Sequence, residues 1–307
     1  MDESPGAVRF SVVMPTYNRQ DIVMRAVQSV LQQTWTDLEL IVVDDGSTDR
    51  TLEVLREIPD ERLTLVEQDH LGAATARNSG AKLARGKWIT FLDSDDEASR
   101  TWLERYSETD EAGVGVITSG CNHVSASGGA VVRFARPRPE LGGETALFLA
   151  GCYALPLATF REIGGFAPTL RAAQHTELAM RLVPHVRNRN LRIVVLDEPL
   201  VTVHLGATAS HIRSDDRAVL AGAQYLLQHH RELLESSPPS LADSHTVAGV
   251  RAARLGMYRE ARQHLVAAAF ADAGNPKRWA RAAAAALPIV RSRAWTSTYR
   301  RRTATNR

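Results

Sequence analysis

The chain has 307 residues, of which 44% are hydrophobic and 23% are charged. This composition is typical of a folded protein and excludes a disordered chain, a collagen and a coiled-coil rod. The length predicts one or two domains. The formal net charge of +2 gives the chain no overall field for nucleic acid, although nine Lys or Arg residues and one acidic residue lie in 271–307.

Cysteine content and apolar runs indicate where the protein is located. Two cysteines, Cys121 and Cys152, are too few for a disulfide framework and favour a reducing compartment. The first residues lack the basic and apolar regions of a secretory signal. The longest uncharged apolar stretch, 145–160, is shorter than the ~20 residues that a membrane-spanning helix needs. We therefore expect a cytoplasmic protein.

The N-terminal part of the chain alternates predicted strands with predicted helices. Apolar runs predict strands, and apolar residues spaced three and four apart predict helices. This alternation predicts an α/β fold, with a mainly parallel central sheet and helices on both faces. In chain order, the predictions are a strand at 9–15, a helix at 21–33, a strand at 38–43, a helix at 48–58, a strand at 63–66, a helix at 73–84 and a strand at 87–92.

The remaining sequence predicts a more mixed segment and then a helical one. A strand is predicted at 114–118, a hairpin at 121–134 around two glycines, a helix at 176–183 ended by Pro184, and a strand at 192–196. Alanine, arginine and leucine dominate after residue 215, and helices are predicted there, among them 248–255 and 258–270. We therefore predict two domains, an α/β domain over 1–213 and a helical C-terminal domain with a basic tail over 214–307.

Acidic residues follow two of the predicted strands. Asp93, Asp95 and Asp96 come after the fourth strand, and Asp44 and Asp45 come after the second. In parallel sheets, ligands bind beyond the carboxyl ends of the strands, and carboxylates two apart after a strand can reach one point. Such oxygen ligands suit Mg²⁺ or Mn²⁺ holding a diphosphate. The alternative is a solvated acidic turn that precedes the next helix. The second pair favours a metal, because close carboxylates repel unless a cation or donors offset them.

The sequence lacks the signature motifs of several enzyme classes. No Gly-x-x-x-x-Gly-Lys-Ser/Thr loop and no Gly-x-Gly-x-x-Gly follows a strand, which argues against P-loop NTPases and dinucleotide-dependent oxidoreductases. A phosphatase with an Asp-x-Asp nucleophile is an alternative. It is disfavoured because its aspartate belongs after an early strand, and because no acidic pair near a lysine follows downstream.

Five segments together resemble glycosyltransferase family 2. They are SVVMPTYNR (11–19), LIVVDDGSTD (40–49), ARNSG (76–80), GKWITFLDSDD (86–96) and GGF (164–166). Their order and spacing are similar to those of the family's GT-A fold, and the resemblance covers about residues 8–213. It implies transfer of a sugar from a nucleoside-diphosphate sugar to an acceptor hydroxyl, with inversion at the anomeric carbon and a divalent Mn²⁺ or Mg²⁺ ion.

The resemblance implies a nucleoside-binding loop after the first strand. Pro15, Thr16 and Tyr17, together with Asp45, would hold the nucleoside. Tyr17 would lie against the base, and the Asp45 carboxylate would bind the imide edge of the base. Asp44 would brace the loop. The alternative for this segment is ordinary turn chemistry.

The resemblance also implies a metal and ribose site at the Asp-x-Asp motif. Asp93 would contact the ribose and Asp95 would bind the metal ion, which His204 would also contact. Arg77 and Asn78 would lie near the nucleotide, with Arg77 as a scaffold or phosphate contact. A lone histidine after a strand is otherwise an ordinary surface or core residue.

The sequence departs from the family pattern at the catalytic base. The family has a Glu-Asp pair a few residues after Gly-Gly-Phe, and this chain has Gln174 and His175 there. Histidine is competent as a general base, with a free pKa near 6.5, so His175 is the predicted base. Glu177 is the second candidate, unless it pairs with Arg181 at i+4. The same departure leaves open a non-catalytic, nucleotide-sugar-binding relic that acts as a partner subunit.

The expected partners follow from the resemblance and from the tail. A UDP-sugar is the favoured donor, and the acceptor remains open among sugars, lipid-linked molecules and small-molecule scaffolds. No nucleic-acid partner is expected, because no recognition fold accompanies the basic residues. Segments 277–281 and 295–302 mix arginine with aromatic residues, which is compatible with peripheral contact to an anionic membrane or with a solvated basic end.

Overall fold

The computed structural model describes residues 8–125, 127–205 and 215–286. These residues fall into two compact units, the first comprising 8–169 and 174–205, and the second comprising 170–173 and 215–286. The boundary predicted near 213 and the tail at 295–302 lie outside the described residues. No described helix combines the length and apolarity that crossing a membrane requires.

The first unit alternates strands and helices at its start, as the apolar pattern predicts. Its elements are β1 (Phe10–Thr16), α1 (Val23–Leu31), β2 (Leu38–Asp44), α2 (Thr51–Arg56), β3 (Leu63–Glu67), α3 (Ala73–Leu83), β4 (Trp88–Phe91), β5 (Glu97–Ala98), α4 (Trp102–Ser107), β6 (Val114–Ser125), β7 (Ala130–Arg133), β8 (Arg136–Pro137), β9 (Thr145–Ala146), β10 (Tyr153–Pro156), α5 (Leu157–Glu162), α6 (Gln174–Asn188) and β11 (Arg192–Leu205).

Most strands form one sheet, whose order is β3-β2-β1-β4-β10-β6-β11-β5, with β7 paired to β6. β1 runs parallel to β2 and β4, and β6 runs parallel to β11. β10 is antiparallel to both of its neighbours. The predicted α/β fold with a mainly parallel sheet is confirmed. Every residue of β1 and β2 is buried, which explains why both strands are almost continuously apolar in sequence.

Strand register brings the predicted polar segments to one edge of the sheet. Thr16 at the end of β1 pairs with Asp44 at the end of β2. Leu92, which precedes Asp93, donates its amide to the carbonyl of Val13 in β1. The side chains that follow β1, β2 and β4 therefore lie at the same edge.

Two elements of the first unit extend well beyond their predicted ends. α6 continues through Pro184 to Asn188, so the prediction that proline ends this helix is wrong. Proline costs the helix one backbone hydrogen bond, whereas apolar side chains on both sides of it, Val183 and Val186, are fully buried. β11 extends to Leu205 rather than ending at residue 196, because its second half pairs with β6 and β5. The predicted hairpin at 121–134 is present as β6 and β7.

The second unit is helical. Its helices are α7 (Asp216–His229), α8 (Arg231–Glu235), α9 (Pro238–Arg254), α10 (Tyr258–Ala271) and α11 (Pro276–Ala286). α9 begins ten residues before the predicted start at 248, with proline in its first turn, where a missing amide hydrogen costs nothing. α9 and α10 pack closely at Gly249, since a Cβ there would lie 2.6 Å from the Leu265 side chain.

Candidate active site

Three carboxylates converge directly after β4. One oxygen from each of Asp93, Asp95 and Asp96 lies within 4.8 Å of the others. The turn is closed by the Asp96 amide, which donates to the Asp93 carbonyl at 3.0 Å. Arg25 donates to the Asp95 carbonyl at 2.6 Å. Three hard oxygen donors at this separation fit a divalent cation such as Mg²⁺ or Mn²⁺, because these ions prefer carboxylate ligands.

Arg77 connects the aspartate turn to the start of α6. Its guanidinium is buried and donates hydrogen bonds to the carboxylate of Asp93 and to the side-chain oxygen of Gln174. The same guanidinium lies 5.5 Å from the centre of the Phe166 ring. A buried cation is costly unless it is paired and hydrogen-bonded. Arg77 therefore fixes Asp93 relative to the helix that begins at Gln174.

His175 lies in the first turn of α6 and contacts two aromatic side chains of the first unit. Its Nδ1 lies 2.8 Å from the Tyr153 hydroxyl. Its ring meets those of Phe166 and Tyr153 edge-on, with centroids 5.2 and 5.7 Å apart. Burial raises the pKa of Tyr153 far above its usual value, so the phenol stays protonated. The neutral Tyr153 hydroxyl therefore engages Nδ1 of the imidazole, and which of the two atoms donates depends on the tautomer of His175.

Glu177 is engaged in an ion pair inside the first unit. Its side chain is 2% exposed, and its two oxygens accept from Arg181 at 2.7 and 2.6 Å. Arg181 also donates to the carbonyls of Ile163 and Gly165. The i+4 pairing that the sequence allows is therefore present. Through its bonds to the two carbonyls, Arg181 also joins α6 to the Gly-Gly-Phe loop.

Asn78 holds the Gly-Gly-Phe loop rather than pointing to an open surface. Its amide nitrogen donates to the Phe166 carbonyl at 2.8 Å, and its oxygen accepts from the Phe166 amide at 2.9 Å. Gly165 has a φ of 68°, and a Cβ there would lie 2.6 Å from the Asn78 oxygen. A side chain at Gly165 would therefore break this contact as well as strain the backbone.

Asp45 and Tyr17 lie in one polar cluster beyond β1 and β2. The buried Asp45 carboxylate accepts from the amides of Leu71 and Gly72 at 2.8 and 2.9 Å. Tyr17 stacks on His70, with ring centroids 4.1 Å apart. The His70 imidazole also lies 3.2 Å from the Asp45 carboxylate. Sequence reasoning missed His70, because no local pattern marks a histidine in the loop before α3.

Asp44 braces the turn after β2. Its carboxylate accepts from the Ser47 amide at 2.8 Å and from the Ser47 hydroxyl. Asn18, whose φ is 50°, accepts from the Thr48 amide at 2.8 Å. Pro15 and Thr16 are the buried end of β1 and pair with Val43 and Asp44 of β2.

His204 lies beside the aspartate turn through the pairing of β11 with β5. Its amide donates to the Asp96 carboxylate at 3.1 Å, and its Nε2 lies 3.6 Å from a Glu97 oxygen. Burial, together with the charge of Arg25, lowers the pKa of His204, which favours a neutral imidazole. Among the described residues, the closely spaced carboxylate group comprises the three aspartates and does not include His204.

Comparisons with known sequences identify the domain that carries this site. The sequence profile of Glycosyl transferase family 2 matches residues 11–155. The uncharacterized glycosyltransferase YibD of Escherichia coli K12 is 39% identical over 98 residues, which cover 31% of this chain and 28% of YibD. The Escherichia coli UDP-Glc:alpha-D-GlcNAc-diphosphoundecaprenol beta-1,3-glucosyltransferase WfaP is 41% identical over 87 residues, which cover 28% of this chain and 35% of WfaP. The match thus spans about a third of the length of these curated relatives.

Solved structures share the fold over most of the chain. S. aureus TarS 1-349 in complex with UDP-GlcNAc superposes with a TM-score of 0.60 at 20% identity, covering 90% of both chains. The mannosyltransferase PcManGT from Pyrobaculum calidifontis, in complex with GDP-Man and Mn²⁺, gives a TM-score of 0.56 at 21% identity, covering 92% of this chain and 82% of that one. At these identities the likeness establishes the fold. Residues 11–155 therefore match glycosyltransferase family 2, and the chain shares the GT-A fold of these solved glycosyltransferases.

Proposed function

We propose that this chain transfers a sugar from a nucleoside-diphosphate sugar to an acceptor hydroxyl, with inversion at the anomeric carbon. The observation that carries the proposal is the buried Arg77 guanidinium, which binds both Asp93 of the Asp-x-Asp turn and Gln174 at the start of α6. Through this link, the proposed cation and diphosphate site would lie next to the helical turn that contains His175. A donor and a base are the two components that such a transfer needs.

A UDP-sugar is the donor that the relatives favour. TarS is in complex with UDP-GlcNAc, and the name of WfaP specifies UDP-Glc. PcManGT is in complex with GDP-Man, so the guanine nucleotide is the first competitor to test. In this chain, the stacked pair of Tyr17 and His70 together with Asp45 provides an aromatic face and a carboxylate for a nucleobase.

The aspartate turn is the proposed cation site. Asp95 would bind Mn²⁺ or Mg²⁺ together with a neighbouring aspartate, and His204 would support the site from β11. A bound divalent cation would neutralise charge that develops on the departing diphosphate. Arg77 would hold the Asp93 carboxylate in place for the ribose.

His175 is the proposed base. Because Tyr153 engages Nδ1, Nε2 is the atom that would take the proton from the acceptor hydroxyl. For this role Nδ1 would carry the hydrogen and donate it to the Tyr153 oxygen, since a hydroxyl can accept a hydrogen bond as well as donate one. Glu177 is less suited, since both of its oxygens bind Arg181 and its side chain is buried. The non-catalytic relic remains the competing hypothesis, because Gln174 and His175 replace the family's acidic pair.

Nucleotide binding and turnover test the proposal separately. Thermal shifts with UDP, GDP, dTDP and CDP, each with and without Mn²⁺, would be measured on the wild type and on Asp95→Ala. We expect one nucleotide to raise the melting temperature by several degrees at saturation, with Mn²⁺ and only in the wild type. No shift with any nucleotide would contradict the donor site.

Donor hydrolysis and transfer then distinguish an enzyme from a binding relic. We expect the wild type to release nucleoside diphosphate from the matching donor. The variant His175→Ala should bind the same donor but release no nucleoside diphosphate from it. Binding without any release by the wild type would support the non-catalytic partner subunit instead. Full turnover by His175→Ala with loss of turnover in Glu177→Gln would reassign the base.

A further inference from the structure

Strand β7 exposes large apolar side chains at an edge of the sheet. Val131, Val132 and Phe134 are 61%, 46% and 45% exposed. Within the described part of the chain, β7 pairs with β6 and with no strand on its other side. An exposed apolar edge strand favours association with other molecules, and soluble proteins usually shield such edges with charges, proline or a covering loop. These exposed side chains therefore indicate a surface that binds another molecule.

The charged residues within this segment of the chain are all arginines. Arg133 and Arg136 are exposed, and residues 127–139 contain no acidic residue. Arg133 is oriented by a hydrogen bond of 3.1 Å from its Nε to His123. Arg138 is different, because its guanidinium pairs with Glu140 at 2.6 Å. The surface formed by Val131, Val132, Arg133, Phe134 and Arg136 is named the β7 edge below.

We propose that the β7 edge binds the surface of an anionic lipid bilayer. Apolar side chains interleaved with arginine are the combination that holds peripheral proteins at the boundary between headgroups and acyl chains. Val132 and Phe134, which are two positions apart, would enter the acyl region, whereas the arginines would remain with the phosphates. This surface is distinct from the C-terminal tail, and the proposal does not depend on sugar transfer.

A second copy of the chain is a poorer occupant of the same edge. Pairing two β7 strands about a twofold axis would add a second Arg133 and a second Arg136 to the same edge. Residues 127–139 contain no acidic residue that could pair with any of these four charges. An anionic membrane supplies the opposite charge directly.

The β7 edge lies near the candidate active site. In register across the sheet, His204 of β11 pairs with Val124 of β6, which pairs with Ala130 of β7. Two strand spacings amount to about 10 Å. A membrane at the β7 edge would therefore bring the aspartate turn close to the bilayer, where a lipid-linked acceptor would be presented.

Vesicle co-sedimentation of the full chain tests the proposal. The probes are vesicles of phosphatidylcholine with phosphatidylglycerol, and vesicles of phosphatidylcholine alone. The charge variant is Arg133→Ser/Arg136→Ser, and the apolar variant is Val132→Ser/Phe134→Ser. The matched controls are Arg100→Ser and Leu83→Ser, which change an exposed arginine and a half-exposed leucine elsewhere in the first unit. Melting temperatures verify that every variant folds.

We expect the wild type and both controls to bind the anionic vesicles and not the neutral ones. The charge variant should bind about thirtyfold more weakly, which corresponds to two arginines near an anionic surface, and the apolar variant should also lose binding. Unchanged binding in both edge variants, or no preference for anionic vesicles, would overturn the proposal. Dimers in the wild type that become monomers in the apolar variant would assign the edge to a second copy and would overturn it as well.

Discussion

Replacing Glu177 with glutamine tests whether this side chain stabilises the fold or performs the chemistry. The Glu177 carboxylate is 2% exposed and binds Arg181, whose side chain is 27% exposed. Breaking a buried ion pair costs about 3–5 kcal/mol, since it leaves one charge buried and uncompensated. Arg181 is partly hydrated and keeps its contacts to two carbonyls, so we expect a loss of about 2–3 kcal/mol.

That loss is measurable by thermal and urea unfolding. At ~2–4 °C per kcal/mol for a unit of this size, the melting temperature of Glu177→Gln should fall by about 4–12 °C. A double-mutant cycle with Arg181→Met should give a coupling free energy, because the two side chains share one interaction. The control is Glu53→Gln, which breaks the exposed pair with Arg50 and should leave the melting temperature unchanged. An unchanged melting temperature in Glu177→Gln together with lost turnover would refute this reasoning.

The remaining predictions concern the base and the helical unit. His175→Ala should lower kcat by about 10²–10⁴, the usual contribution of a general base, with donor binding intact in the thermal-shift assay; unchanged kcat would remove it as the base. Tyr153→Phe should lower kcat and move the acidic limb of the pH profile of kcat/KM, with little change in the KM for the donor. If the substitution only lowered stability, that limb would stay in place. Burial, and for His245 the charge of His264, lowers the pKa of both histidines in the α9–α10 pair. They therefore take up protons more readily when unfolded, so the stability of the second unit should fall as pH drops through about 6.5. His245→Asn/His264→Asn should flatten this dependence, and a dependence that persists in that variant would exclude the pair as its cause.

Local patterns in the sequence are sufficient for the early strands and for the position of the polar segments. β1 and β2 are covered on both faces, so most of their residues are apolar and both strands are recognisable from the sequence alone. The aspartate turn was predicted for a similar reason, since acidic residues directly after a buried run mark the end of a strand. The prediction at Pro184 was wrong because burial of Val183 and Val186 outweighs one lost hydrogen bond.

Only the tertiary structure decided the partners of the site residues. Arg77 binds Gln174, which is 97 positions away along the chain, and Asn78 binds Phe166 over 88 positions. Such contacts have no periodic signal, because the geometry that creates them comes from the packing of α3 against the start of α6 and the preceding loop. The exposure of β7 likewise depends on which strands are left without a neighbour. The sequence by itself therefore determined the fold class and the chemistry available at the sheet edge, while long-range packing determined which side chains meet there.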